Sequence, residues 1–139
     1  MNPRDVIEKY IFSLLGKEYI YGGAGPNFDC SGFVLDILKA SGIAIPHDMT
    51  AGQIFEFVKP DAQWDVRKFG SLIFFGQSLG AITHIGFMLN ALQMAEAGGG
   101  DSKTLTKEDA QKRGAFTRIR PITARKDVAV ILAPKYPWF

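Results

Sequence analysis

The sequence predicts an α+β fold, in one domain of 139 residues. Helical patterns fill the first part of the chain, while strand-like apolar runs begin at GSLIFFG (residues 70–76) and recur towards the C-terminus. That order of elements belongs to the α+β class. The composition, 47% hydrophobic and 22% charged, is ordinary for a chain able to bury most of its apolar surface.

Asn2 and Pro3 read as an N-cap and a first helical position. Val6, Tyr10, Ile11, Leu14 and Leu15 then form one helical stripe that ends at Gly16, and this helix is expected to pack on the next. Tyr19 and Tyr21 precede Gly22, Gly23, Gly25 and Pro26, which fit a turning loop. Phe33, Val34, Ile37 and Leu38 recur at the spacing of one buried helical face, and Ser41-Gly42 stops it. HDMTAGQIFEFV predicts a short third helix capped by Thr50. His47 belongs to an exposed loop, and Lys59–Phe69 reads as a surface loop.

GSLIFFG opens the sheet. In the next run Ile82, His84, Gly86 and Met88 alternate with Ile85, Phe87 and Leu89, as in a strand buried on both faces. After a turn at Asn90-Ala91, Leu92–Ala95 forms a short strand ending at Glu96. Gly98–Arg113 reads as a mobile loop or a disordered tract, in which Thr106-x-x-Asp109 can start a short helix. Two strands follow, around Phe116–Ile119 and Val128–Leu132, and the Pro-Trp-Phe end packs against the body.

Composition also excludes function classes. A net charge of +2 is too weak to argue for nucleic acid or an anionic membrane. One cysteine and two histidines cannot supply a typical zinc site without carboxylates, so no metal is expected. A single cysteine also rules out an internal disulfide. MNPRDVIEKYIFSLL has scattered charges and reads as neither a signal peptide nor a membrane span.

The chemistry centres on Cys30, placed where the glycine-rich loop meets a helix. Unpaired N–H groups and the macrodipole at a helix N-terminus favour an anion, which predicts a thiol pKa lowered from about 8.5. His84 is the candidate base, giving the two halves of a thiolate–imidazolium couple. Asp29 and Ser31 bracket Cys30, and both suit helix capping.

The runs YIYGGAGPNFDCSGFV, IPHDMTAGQ, GSLIFFG and THIGFML resemble the NlpC-type cell-wall cysteine peptidases, a papain-like family. The resemblance covers about Tyr19 to Met94, with DCSGFV and HIGFML its specific parts. It implies N-terminal helices packed on an antiparallel sheet of about five strands, with Cys30 facing His84. It also implies hydrolysis of an amide bond in peptidoglycan stem peptides, typically γ-D-glutamyl to a diamino acid, by a monomer without a cofactor.

The resemblance makes Tyr19, Asp29 and Ser31 candidates for binding substrate, Asp29 and Ser31 through its free amine. The third catalytic position in such proteins lies about twelve residues after the histidine, which lands on Glu96. The usual residue there is His, Asn or Gln; Gln93 and Asp101 are the next candidates. Two further departures are His47, where Arg is common, and Ser71, where Asp is usual. The alternatives are an inactive binding module, such as a phage tail or secretion component, and a thioester acyltransferase.

Overall fold

In the residues described by the computed structural model, 2–21, 29–100 and 104–138, three helices precede the sheet and a fourth interrupts it. Helix α1 spans Pro3–Ser13, and the Asn2 side chain accepts the Asp5 N–H at 3.0 Å. Its buried residues are Ile7 and Ile11, whereas Val6 is exposed. The stripe is therefore rotated by one residue from the predicted one, because α1 meets α2 along an Ile7–Ile11 line. The Tyr10 hydroxyl donates to the Asp36 carboxylate on α2 and ties the two helices together.

Helix α2 runs from Cys30 to Ala40, and Asp29 caps it by accepting the Gly32 N–H at 2.7 Å. Phe33, Val34, Ile37 and Leu38 are fully buried. Each contributes roughly 1.5–3 kcal/mol relative to exposure. This face lies on strands β3 (Ile82–Met88) and β4 (Gln93–Gly98). Helix α3, Ala51–Val58, opens with a capping box in which Thr50 and Gln53 each accept the other's backbone N–H.

Six strands form one antiparallel sheet in the order β1-β6-β2-β3-β4-β5. The five expected runs correspond to β2 (Leu72–Gly76), β3, β4, β5 (Phe116–Pro121) and β6 (Val128–Ala133). The sixth, β1, is the two-residue Gln63–Trp64 pairing with Ala133 and Leu132 at the sheet edge. The 59–69 segment is thus not wholly a surface loop. It carries that edge strand and ends on Phe69, buried against Phe87 at 5.5 Å between ring centroids.

One face of the sheet, with Leu72, Phe74, Ile85, Phe87, Ala95 and Ala97, joins the main core under the helices. The other face carries a smaller cluster of Ile73, Phe75, Met88, Met94, Ile122 and Ile131. Strand alternation puts His84 in register with this second set. Helix α4, Lys107–Arg113, begins with the predicted Thr106/Asp109 capping box and ends at Gly114 in the left-handed conformation.

Residues 16–21 form an extended arm beside β5. Gly16 donates to the Thr117 carbonyl, Tyr19 to Ala115 and Tyr21 to Thr104, at 2.9, 2.8 and 2.8 Å. The buried Ser71, in place of the family's acid, takes over the turn locally by donating to the Val66 carbonyl at 2.6 Å. The C-terminal segment docks as expected: Tyr136 donates to the Gly70 carbonyl and Trp138 to that of Ser41. The predicted loop at Gly22, Gly23, Gly25 and Pro26, and Asp101, lie outside the described residues.

The β2–β3 hairpin that delivers His84 closes on Gly76. A Cβ there would stand 2.2 Å from the Ala81 carbonyl oxygen and 2.8 Å from the Ile82 Cα, both backbone atoms. Gly76→Ala should therefore lower stability by about 1–3 kcal/mol, read as a fall in the midpoint of chemical denaturation. A midpoint equal to the parent would show that the hairpin yields without cost.

Candidate functional site

Capping, apolar packing and strand pairing bring the candidate residues to one end of the molecule. Tyr19, Asp29, Cys30 and Ser31 line a cavity of about 400 Å³, together with Asp48, Thr50, Ile82 and Thr83 among others. His84 and Glu96 line a second pocket of about 340 Å³ with Gly98, Gly99, Gly100, Arg118, Arg120 and Arg125. Cys30 and His84 thus open onto different cavities. The backbone of Ile85, the residue after His84 on β3, is among the groups that hold the Cys30 pKa down.

The thiol departs from the sequence expectation. Its burial, and next the Asp29 carboxylate, push the Cys30 pKa up to about 11, against backbone hydrogen bonds that lower it. The helix N-terminus does not deliver a thiolate because the sulfur is buried and, next, because Asp29 already occupies that terminus. An anion capping Gly32 takes up the favourable end of the dipole and repels a second negative charge one residue away. At neutral pH the resting site therefore holds a thiol.

Glu96 lies inside β4 rather than at its end, and only 1% of its surface is exposed. This excludes the alternative of a solvent-facing residue. The hairpin joining β3 to β4 forms where predicted, with the Asn90 side chain accepting the N–H groups of Leu92 and Gln93, both at 2.9 Å. It brings His84 Nε2 to 3.4 Å from Glu96 Oε1. The imidazole also leans on Phe75, with centroids 5.4 Å apart. Gln93 is exposed and its side chain is engaged by Asn90.

A buried carboxylate needs compensating charge. Arg118 Nε stands 4.0 Å from Glu96 Oε2, and Arg120 Nη1 3.8 Å from Oε1. Burial alone would raise the Glu96 pKa; the hydrogen bond to His84 and the charges of His84, Arg118 and Arg120 hold it below the ordinary value. Arg125 is paired with Asp127 at 2.7 and 2.9 Å and lies over the Phe75 ring.

These arginines were not among the sequence candidates. Arg118 and Arg120 are two apart on one strand, but only the pairing of Glu96 with Arg118 and of Met94 with Arg120 aims them at the carboxylate.

The glycine run is packed rather than mobile over residues 98–100. A Cβ on Gly98 would fall 2.9 Å from Glu96 Oε2 and 2.7 Å from Arg118 Nη2, and one on Gly100 2.2 Å from the Tyr19 ring. These glycines make room for the carboxylate and for the buried Tyr19. His47 is exposed, away from His84, and its Nδ1 lies 2.8 Å from the Asp48 carbonyl. Among the described residues, no group of three or more His, Cys, Asp or Glu side chains is placed to hold a metal ion.

A cysteine that opens a helix and a histidine on a strand, with helices packed on an antiparallel sheet, define the papain-like class. The sequence model of the NlpC/P60 family matches residues 16–119, and the chain belongs to that family. It is 40% identical over 93 residues to the γ-D-glutamyl-L-lysine dipeptidyl-peptidase of Bacillus subtilis, covering 65% of this chain and 30% of that protein. It is 37% identical over 84 residues to the probable endopeptidase p60 of Listeria innocua, covering 60% of this chain and 17% of that one. The matched region is thus less than a third of either relative.

Among solved structures, an NlpC/P60 family protein from Bacillus cereus superposes with a TM-score of 0.71 at 24% identity, over 96% of this chain and 40% of that one. RipD from Mycobacterium tuberculosis, a non-catalytic NlpC/P60 domain protein, superposes with a TM-score of 0.67 at 19% identity, over 96% and 97%. Both likenesses concern the fold.

The lowered Glu96 pKa links the site to stability. A carboxyl depressed in the folded state stabilises above its unfolded pKa, near 4.5, and that stability is lost as pH falls through the folded value. Glu96→Gln should be less stable than the parent at pH 7, with the gap closing as pH drops from about 5 towards 3. Chemical denaturation at three pH values checks this; a gap independent of pH would show that the carboxylate charge contributes nothing.

Proposed function

We propose that this chain hydrolyses an amide bond in peptidoglycan stem peptides, γ-D-glutamyl to a diamino acid, with Cys30 as nucleophile and His84 as base. One observation carries the reading. Strand β3 presents His84, held at Nε2 by a buried carboxylate, while the backbone of the next residue favours the ionised form of the Cys30 thiol.

Cys30 Sγ attacks the carbonyl carbon as its proton passes to His84, giving a tetrahedral oxyanion. The Cys30 backbone N–H, at the first position of α2, donates to that oxygen. His84 then protonates the leaving nitrogen, the C–N bond breaks, and a thioester remains on Cys30. Water attacks the thioester, giving its proton to His84, and the collapse returns a proton to the sulfur and releases the acid.

Because the resting thiol is protonated, proton transfer to His84 accompanies attack instead of preceding it. Glu96 acts through His84, fixing the ring and stabilising the imidazolium as Asp does in the Ser-His-Asp arrangement. The names of the curated relatives, a γ-D-glutamyl-L-lysine dipeptidyl-peptidase and a probable endopeptidase, support the reaction class.

The protonated resting thiol also favours a second reading, a domain that binds peptidoglycan without cleaving it. Mass spectrometry of murein digests separates the two. The wild type should release peptide fragments, and Cys30→Ala should lose on the order of 10⁴-fold or more in rate while keeping its thermal transition. Release by the variant at the parent's rate would sink the nucleophile assignment, and no release by the wild type would favour the binding module.

Asp29 supplies the specificity test. If its carboxylate also holds the free amine of the substrate, Asp29→Asn should raise KM for a peptide beginning with free L-Ala by about tenfold or more. The α2 cap should survive, since Asn caps as well as Asp. An N-acetylated peptide should be a poor substrate for the wild type; equal cleavage of both peptides would leave Asp29 a cap only.

A further inference from the structure

We propose that the pocket lined by His84 and Glu96 is a carboxylate subsite, in which Arg118 and Arg120 take a free carboxylate carried by the residue on the leaving side of the scissile bond. This rests on the amide-hydrolysis reading, since the two sides of a bond have meaning only if it is cleaved there. The side follows from the chemistry. The group that protonates the leaving nitrogen must lie against the leaving half of the substrate. His84 lines this pocket, whereas the nucleophile and the amine-binding candidates line the other cavity.

The charge balance points to an anion. Arg125 is matched by two hydrogen bonds to Asp127, which leaves Arg118 and Arg120 facing the single carboxylate of Glu96. One positive charge is in excess. Neither arginine spends its donors on Glu96, because both separations, 4.0 and 3.8 Å, exceed a hydrogen bond. Arg118 Nε has no hydrogen-bond partner although it is buried, and Glu96 Oε2 has none. Arg120 gives one bond, at 3.4 Å, to the Ala124 carbonyl.

A guanidinium carries five N–H donors in a fork that fits a carboxylate, so the pair retains unused capacity. The two side chains are 32% and 31% exposed, so an entering ligand can reach them. If neutralising Glu96 were their whole task, one close arginine would suffice.

The test uses L-Ala-γ-D-Glu-L-Lys with a free terminal carboxylate and the same peptide as its terminal carboxamide. The wild type should prefer the acid in kcat/KM by about tenfold or more, and Arg118→Gln with Arg120→Gln should bring the acid-to-amide ratio close to one. Each single variant keeps one cation beside Glu96 and should lower the ratio part of the way, which carries the test if the double variant does not fold. Arg120→Lys should retain more of the preference than Arg120→Gln, because the charge remains.

Calorimetric binding of both peptides to Cys30→Ala, with and without the arginine substitutions, separates this proposal from the reaction itself. Equal hydrolysis of acid and amide by the wild type, or a ratio unmoved by the substitutions, would overturn the subsite and leave the peptidase reading standing. Carboxylate-dependent binding lost with the arginines, without hydrolysis of either peptide, would overturn the peptidase reading and uphold an anion site. Neither binding nor hydrolysis would overturn both.

Discussion

The arrangement depends on one packing contact, the apolar face of α2 against β3 and β4. Four fully buried side chains, Phe33, Val34, Ile37 and Leu38, fix the helix against the sheet. A helix held along its length by close-packed side chains cannot slide by one residue without opening cavities. The position of its first residue, Cys30, is therefore set by its middle. The placement of the end of the helix rests on hydrocarbon packing further along it.

A second constraint acts from the opposite face of the sheet. Placing a carboxylate inside a β-sheet is costly unless charge and space are both supplied. Charge comes from Arg118 and Arg120 on the adjoining strand and from His84 across the hairpin. Space comes from the lack of a side chain at Gly98. The requirements converge on a few residues of β3, β4 and β5, so the imidazole is oriented by the sheet itself rather than by a loop.

Much of this was legible because it is local. The caps at Asn2, Asp29, Thr50 and Thr106 follow from side-chain chemistry within four residues, and the buried face of α2 from its periodicity. The approach of Glu96 to His84 was readable as well, since a tight turn at Asn90 and a separation of twelve positions leave little freedom. What escaped depends on segments distant in sequence. The arginines needed the β4–β5 register across the whole segment between Gly98 and Phe116, β1 needed the edge of β6, and the glycine run needed the ring of Tyr19. The thiol pKa was misjudged because burial of the sulfur, and next the charge of the capping Asp29, outweigh the pull of the helix terminus, and burial is set by tertiary packing.

That filled terminus has a consequence for the durability of the protein. Peroxide, disulfides and alkylating electrophiles all react with thiolates, and climb the oxidation ladder only where the sulfur has lost its proton. A cysteine whose ionisation is pushed up to about 11 presents almost no anion at neutral pH. The sulfur is thereby shielded from indiscriminate oxidants in the resting protein. Burial of the thiol, and next the carboxylate that stiffens the start of α2, thus together work as a chemical safety catch on that sulfur.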